Sequence, residues 1–434
     1  MPYFKHSQMH KITFVLLIIL FTISITSKAQ QKNDTLQITL KEAQNQFIKN
    51  NIQLLTQKFS IDSAKAIVIT AKLFDNPEFS YSNGLYNSNT KRFFDLSRDN
   101  WEASSQVSQL IRTARKRNKA VQLARIGVQI TEYQFYDLLR TLRFSLRNNF
   151  YNMYYLQQSE KVYTKEIESL QKTTSAFEEQ VKKGNIALKE LLRIKSQLYT
   201  LQAELVNLQD QIDDVQSEFK LLLRAKATVY IEPISDLKLD QKNVVSILTY
   251  QTLMDSAYNN RYDLKIANAN LFYFQQNLRL QKALAVPDIN LGMSYDRLGS
   301  YVKNFNSIGI TIPLPLFNRN QGNIKQAQAM IESGKLQLEG QQDQLESQVA
   351  NSYLEALRTE KLLNSFDPKF PSDFDYLIGE VFKNFEKRNL TLLEFIDFYD
   401  SYKQNVLQLN NLRYNRISAL EQLNYTTGTP LFNN

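Results

Sequence analysis

Cysteine is absent from the 434-residue chain, and only 11 glycines, 9 prolines and one tryptophan occur. Without cysteine, no disulfide can staple the fold and no lipid can be attached to a thiol. Histidine is nearly as scarce: His6 and His10 both lie at the very start of the chain. The rest of the chain therefore lacks the usual zinc ligands, the commonest general base and the thiol nucleophile. No catalytic residue, metal ligand or cofactor is expected, and the chain does not read as an enzyme. So few glycines and prolines also leave few turns, so long helices are expected.

The stretch from Met1 to Ala29 has the pattern of a cleaved secretory leader. Lys5, His6, His10 and Lys11 form a basic start, Thr13 to Ile25 an apolar run, and Ser27-Lys28-Ala29 a small-x-small cleavage site. The run is short for a spanning helix. Loss of Lys5, Lys11 and Lys28 lowers the formal charge from +9 to +6. That charge is mild and dispersed, with no basic stripe of the kind nucleic acid requires.

No proline occurs between Pro77 and Pro233, and Arg112 to Lys183 reads as helix throughout. At 1.5 Å per residue such a helix is on the order of 100 Å long. That length suits a coiled coil or a helical tube. After the Lys182 to Asn185 turn a second helix runs to about Ala225. Its apolar positions are Leu191, Ile194, Leu198, Leu201, Leu205, Leu208, Ile212, Val215, Phe219 and Leu222, spaced by threes and fours. This is a heptad seam that must pack on a partner helix.

The second half repeats the plan. "LFDNPEFSYSNG" from Leu73 answers to "LAVPDINLGMSY" from Leu284. "SQLIRTARKRNKAVQLA" from Ser108 answers to "PLPLFNRNQGNIKQAQA" from Pro313, and "KKGNIALKELLRIKSQL" from Lys182 to "EKRNLTLLEFIDFYDSY" from Glu386. Three markers in one order at nearly constant offset imply a structural duplication. The expected division is a leader (1–29) and two repeats (30–235 and 236–434). Each repeat opens with a helix, Thr39 to Phe74 or Tyr250 to Ala285, and continues into a β-hairpin (about 77–110 and 287–314). A long helical stretch follows, Arg112 to Lys183 or Phe317 to Lys387, and then a returning helix, Ile186 to Ala225 or Leu390 to Thr426. The two shorter helices of a repeat, end to end, match the long one. Pro368 and Pro371 must kink or break the second long helix.

The strand segments alternate. Ile289, Leu291, Met293 and Tyr295 share one face, and Asp288, Asn290, Gly292, Ser294 and Asp296 the other. Ile308, Ile310 and Ile312 alternate with Ser307, Gly309 and Thr311. Phe79 and Tyr81 alternate with Ser80 and Ser82, and Trp101, Ala103 and Val107 with small or polar neighbours. Segments of about ten residues, apolar on one side and small or polar on the other, fit transmembrane β-strands. The aromatic residues Phe79, Tyr81, Tyr86, Phe93, Phe94, Trp101, Tyr295, Tyr301 and Phe305 would form an interfacial girdle. Four strands cannot close a barrel, and open edges are not tolerated in lipid, so copies must complete it. Three copies would give twelve strands above a twelve-column helical tube. The fold class expected is therefore mostly α, with a small transmembrane β part.

The Pro313-Leu-Pro-Leu-Phe-Asn-Arg-Asn-Gln-Gly junction, its paired segment from Ser108, the proline-headed strands and the duplication resemble the TolC family of outer-membrane efflux proteins. The resemblance spans about residues 36 to 430. The first repeat lacks the Pro-x-Pro. The resemblance implies a homotrimer, with a barrel in outer-membrane lipid and a helical tunnel in the periplasm. It also implies a periplasmic adaptor protein and an inner-membrane RND-type pump as partners. Pro313, Pro315 and Phe317 would mark the passage from barrel to tunnel. The helix turns at Lys183, Gly184 and Asn185 and at Arg388 and Asn389 would meet the adaptor. Glu394 and Asp397, with Glu190 as the first-repeat counterpart of Glu394, would ring the periplasmic gate. The string after the junction is similar to the branch serving cobalt, zinc, cadmium or copper efflux, so metal resistance is one expected role. Multidrug efflux and type I protein secretion are the alternatives within the family. A periplasmic coiled-coil structural or adaptor protein is the alternative outside it; the strand pairs argue against that reading.

Overall fold

The computed structural model describes residues 35–235, 243–298, 302–367, 369–387 and 389–432. The expected leader, Tyr301, Pro368 and Arg388 lie outside them. In chain order the elements are β1 (Thr35–Thr39), α1 (Leu40–Asn50), α2 (Ile52–Lys72), β2 (Glu78–Asn83), β3 (Tyr86–Asn87), β4 (Arg92–Phe93) and β5 (Ala103–Ile111). The long helix α3 (Lys116–Lys182), α4 (Leu188–Leu223) and β6 (Tyr230–Ile234) follow. The second half contains α5 (Tyr250–Asn260), α6 (Tyr262–Leu284), β7 (Ile289–Asp296), β8 (Phe305–Thr311), α7 (Gln321–Ser365), α8 (Phe370–Glu386) and α9 (Leu392–Thr427).

The long helix is continuous over 67 residues, about 100 Å. On one side it packs against α2 and α4, which follow one another along its length. On the other side it packs against α6 and α9, and these pack in turn against α7 and α8. The helices thus form a layer, with α2 and α4 along one edge and α7 and α8 along the other. Three apolar clusters hold it. One gathers Phe47, Leu146, Phe150, Met153 and Phe219 around the middle of α3. A second joins α5, α7 and α9 through Leu253, Leu345, Val349 and Leu420. The third binds the lower end through Leu170, Leu198, Leu201 and Phe395.

The expected opening helix of each repeat is broken once. Asn51 closes α1 and opens α2: its Oδ1 accepts the Leu54 amide at 3.1 Å and its Nδ2 donates to the Leu222 carbonyl at 3.1 Å. A buried asparagine that caps a helix and ties it to α4 outweighs the propensity of the flanking residues to continue. Arg261 makes a similar break in the second half of the chain, buried and paired with Asp263. Thr39 and Thr249 cap α1 and α5. The second long helix ends at Ser365 and resumes at Phe370 with a proline in its first turn, where no amide donor is needed.

The heptad seam of α4 follows the sequence from Leu191 to Ile212 and again at Phe219, but shifts by one residue between them and again at Leu223. Val215 is only half-buried, and Gln216 takes the buried place. Its amide donates to the Ile231 carbonyl at 2.6 Å and its oxygen accepts the Ile231 amide at 3.1 Å. A side-chain amide can stand in for a strand, which apolar spacing does not report. That strand, β6, pairs in parallel with β1, a small sheet that no sequence pattern announces.

The two expected hairpins form one antiparallel sheet in the order β2-β5-β7-β8. The link between halves is β5 with β7, where Val107 faces Met293. The apolar faces point outward: Phe79 is 70% exposed, Met293 63% and Ile308 74%. The opposite face carries small hydroxyls that pair across strands, Ser82 with Ser104 at 2.7 Å and Ser294 with Ser307 at 2.6 Å. Trp101 departs from its expected place. It precedes β5, donates its indole N–H to Asn83 Oδ1 at 2.8 Å and lies under the Arg297 guanidinium. No helix among the described residues is long and apolar enough to cross a membrane.

Candidate functional site

Two regions position the residues singled out in the sequence: the strand-to-helix junction and the pair of helix turns about 100 Å of helix below it. At the junctions both halves of the chain enter their long helix through a left-handed residue, Arg115 (φ 57°) before α3 and Asn320 (φ 58°) before α7. The surroundings differ. The first junction is polar and closed within the chain. Arg112 donates twice to Asp75, at 2.8 and 2.6 Å, and the Thr113 amide donates to Asp288 at 2.8 Å. The Lys116 ammonium, nearly buried, lies 2.7 Å from Asp288 and 2.6 Å from the Val286 carbonyl. The second junction is apolar and open. Pro313 is exposed and Pro315 half-buried, Leu314 and Leu316 project outward, and Phe317 is 91% exposed. Proline here removes amide donors where the strand ends. Asn320 anchors the turn by donating to the Gln281 carbonyl at 2.7 Å.

At the first turn, α3 ends in a left-handed glycine, Gly184 (φ 75°). The Asn185 amide reaches back to the Gln180 carbonyl at 2.9 Å and the Gly184 amide to Val181 at 3.0 Å, the paired bonds of a Schellman motif. A β-carbon at Gly184 would meet no neighbour, so backbone geometry alone calls for glycine. At the second turn the Asn389 amide reaches the Asn384 carbonyl at 2.9 Å. The side chains repeat the match: Asn185 donates to Gln180 at 2.8 Å and Asn389 to Asn384 at 3.1 Å. Lys183, Gly184, Asn185 and Asn389 are all exposed.

The three acidic candidates occupy different settings. Glu394 is the third residue of α9 and closes a capping box: its Oε2 accepts from the Thr391 amide and hydroxyl, both at 2.8 Å. Those bonds, the backbone one first, hold its carboxyl below the usual carboxylate range. Asp397, one turn on, is exposed. Glu190 is half-buried and lines a cavity of about 970 Å³ between the turns, shared with Lys172, Phe177, Phe385 and Thr391. Glu394 and Asp397 do not line it. Stacked rings join the two turns, Phe177 with Phe385 at 5.9 Å and Phe385 with Phe395 at 4.2 Å. Sequence spacing does not single out this aromatic clamp, although Phe177, Phe385 and Phe395 all stand close to a turn.

Further up the seam lies another group that spacing does not reveal. Lys403 on α9 is 2% exposed and pairs with Glu204 at 2.9 Å and Asp400 at 3.0 Å. Glu166 on α3 is buried beside them. No group of three or more metal-ligating side chains occurs among the described residues.

The family model described as outer membrane efflux protein matches residues 28–223 and 253–365, well over half of the chain. Solved structures share the fold. VceC, the outer membrane protein from Vibrio cholerae, aligns with TM-score 0.69 at 17% identity, covering 90% of this chain and 96% of that one. The Campylobacter jejuni CmeC outer membrane channel aligns with TM-score 0.73 at 12% identity, covering 90% of this chain and 85% of that one. CusC, described by its transmembrane channel formation, aligns with TM-score 0.69 at 16% identity, covering 94% of this chain and 96% of that one. No curated protein sequence matches the chain.

Proposed function

The chain belongs to the outer membrane efflux protein family, and on that premise we propose that it forms a homotrimeric duct through which a tripartite system exports small molecules or metal cations. One observation carries this reading. A four-stranded sheet presents an apolar outer face and a hydroxyl-lined inner face, and among the described residues neither of its edges, β2 or β8, has a partner strand. Lipid forbids such edges, so three copies would close twelve strands into a barrel in the outer membrane. The helical layer would close in the same way. Leu188, Leu192, Tyr199 and Val206 run exposed along α4, an edge helix, at close to heptad spacing, ready for the neighbouring copy.

The internal repeat suggests how the copies join. Carried over by the duplication, the β5–β7 seam is the template for β8 and the segment that continues it to Phe317 against the β2 of a neighbour. The step from Arg115 to Asn320 carries β5 forward into the second repeat, and the step from Arg261 to Asn51 carries β7 back into the first. Under those steps Ile111 opposite Ile289 becomes Leu316 opposite Phe79. Gln109 opposite Leu291 becomes Leu314 opposite Tyr81. All four of those side chains are exposed among the described residues, and all are apolar or aromatic.

The absence of cysteine makes the test clean. Directly opposed residues in an antiparallel pair have Cβ atoms about 4.5–5.5 Å apart, close enough for oxidation to link them with slight adjustment. The pairs Leu316→Cys with Phe79→Cys, and Leu314→Cys with Tyr81→Cys, should give covalent trimers on denaturing gels. The shifted pairs, Leu316→Cys with Tyr81→Cys and Leu314→Cys with Phe79→Cys, should not. Linking only in the shifted pairs would keep the trimer and correct the register. No link in any pair would overturn the seam.

The lower end would be the gate, docking a periplasmic adaptor protein and, through it, an inner-membrane RND-type pump. Lys183, Gly184, Asn185 and Asn389 would offer backbone and amide groups to the adaptor. Arg388, outside the described residues, is proposed to join them. Glu394 and Asp397, repeated three times, would ring the pore, with Glu190 behind them. Because Glu394 also caps α9, alanine there would confound charge with helix stability. Glutamine preserves the capping box. Glu394→Gln with Asp397→Asn should raise single-channel conductance and weaken divalent-cation block by about tenfold, the effect of about 1.4 kcal/mol. Unchanged block in an assembled trimer would remove these residues from the gate.

A further inference from the structure

Glu166 is 2% exposed, and neither of its carboxylate oxygens has a hydrogen-bond partner. It lies on the buried face of α3 with Leu170 and Thr174, about five turns above the Gly184 turn. The groups that face it come from three helices. Tyr163 and the exposed Lys165 belong to α3, and Glu204 to α4. Asp400, Lys403 and Tyr399 belong to α9. Lys403 is the one buried cation among them, and Glu204 and Asp400 already share it.

We propose that Glu166 is a proton-operated latch on the lower seam of the tunnel: neutral, it lets α3 and α9 close over Lys403, and ionised, it forces them apart.

The charge count gives the reason. With Glu166 neutral, one buried ammonium serves two carboxylates. Ionisation would add a third carboxylate with no donor to receive it. A buried charge without a partner costs several kcal/mol, and the seam can avoid that cost only by admitting water. Burial pushes the Glu166 carboxyl up to about 8; Lys403 opposes that rise, and Asp400 and Glu204 add to it. The proton is therefore held at neutral pH and released in mild alkali. The latch reaches the turn because α9 is one helix that also carries Glu394 and Asp397 at its lower end.

Only the conductance readout rests on the duct reading; the stability readout does not. In planar bilayers, wild-type conductance should rise between about pH 6 and about pH 9.5, with a midpoint near 8. Glu166→Gln, a neutral isostere, should stay at the low-pH level throughout. A flat wild-type profile, or the same rise in Glu166→Gln, would overturn the latch.

Thermal melts supply the second measure. The folded value lies above the unfolded one, so the stabilisation is complete below the ordinary carboxylate range and is lost as pH rises to about 8. That slope should be present in wild type and absent in Glu166→Gln. A melting slope with flat conductance would keep the buried proton and overturn the latch. If Glu166→Gln is not recovered folded, infrared titration of the wild type decides. A protonated carboxyl band that disappears near pH 8 supports the proposal, and no such band at neutral pH overturns it.

Discussion

Glu360→Ala is expected to destabilise the protein by about 3–5 kcal/mol, the usual cost of removing one partner from a buried ion pair. Glu360 on α7 and Arg416 on α9 are both almost fully buried and 3.0 Å apart. The same carboxylate accepts the amides of Val245 and Ser246, both at 2.9 Å. It therefore fastens the segment before α5 to two helices at once. Burial works against its ionisation, but the amide bonds and Arg416 outweigh burial and hold its carboxyl below the usual range. The sign follows. Its share of stability is present above the ordinary carboxylate range and fades as pH falls through the depressed folded value. Alanine would leave a guanidinium and two amides buried without acceptors. Hydrogen exchange at Val245 and Ser246 should accelerate by about 100-fold or more. Glu360→Gln, which keeps an acceptor, should lose less. Equal exchange in wild type and Glu360→Ala would mean that the segment is held elsewhere.

Leu201→Asp should abolish recovery of assembled protein. Leu201 is 1% exposed in the lower seam between α3 and α4, packed in the cluster that includes Leu170 and Leu198. A carboxylate there has no partner, and its burial costs several kcal/mol against a total stability of only about 5–15 kcal/mol. Two neighbours calibrate the result. Leu205 is half-buried in the same seam, and Val206 is exposed. The expected order of damage is Leu201→Asp, then Leu205→Asp, then Val206→Asp as judged within one protomer. The measurement is the yield of assembled protein in the outer-membrane fraction. If Val206→Asp proves as damaging as Leu201→Asp, the outer face of α4 is covered by another copy. Normal yield from Leu201→Asp would mean that the seam is not buried.

The sequence by itself determined the long helices, the four strands of the larger sheet and the face on which each of those strands carries its apolar side chains. Those features are local and periodic. The proline-free stretch, the alternation from Ile289 to Tyr295 and the spacing from Leu191 to Ile212 reflect a backbone repeat that each residue feels directly. The two turns were legible for the same reason, since Gly184 stands where the chain must adopt a positive φ.

Only the tertiary structure decided the rest. Apolar spacing cannot report a polar side chain that is satisfied by a distant backbone. The breaks at Asn51 and Arg261, the slip of the α4 seam to Gln216 and the pairing of β6 with β1 were therefore invisible in it. Glu394 was readable as an acid near a turn, spaced from Thr391 as a capping box, but its place outside the cavity between the turns was not. Glu166, Glu204, Asp400 and Lys403 look like ordinary surface charges on amphipathic helices. They become one cluster, with Glu166 and Lys403 buried, only when α3, α4 and α9 meet, because burial belongs to the packed chain and not to any single helix.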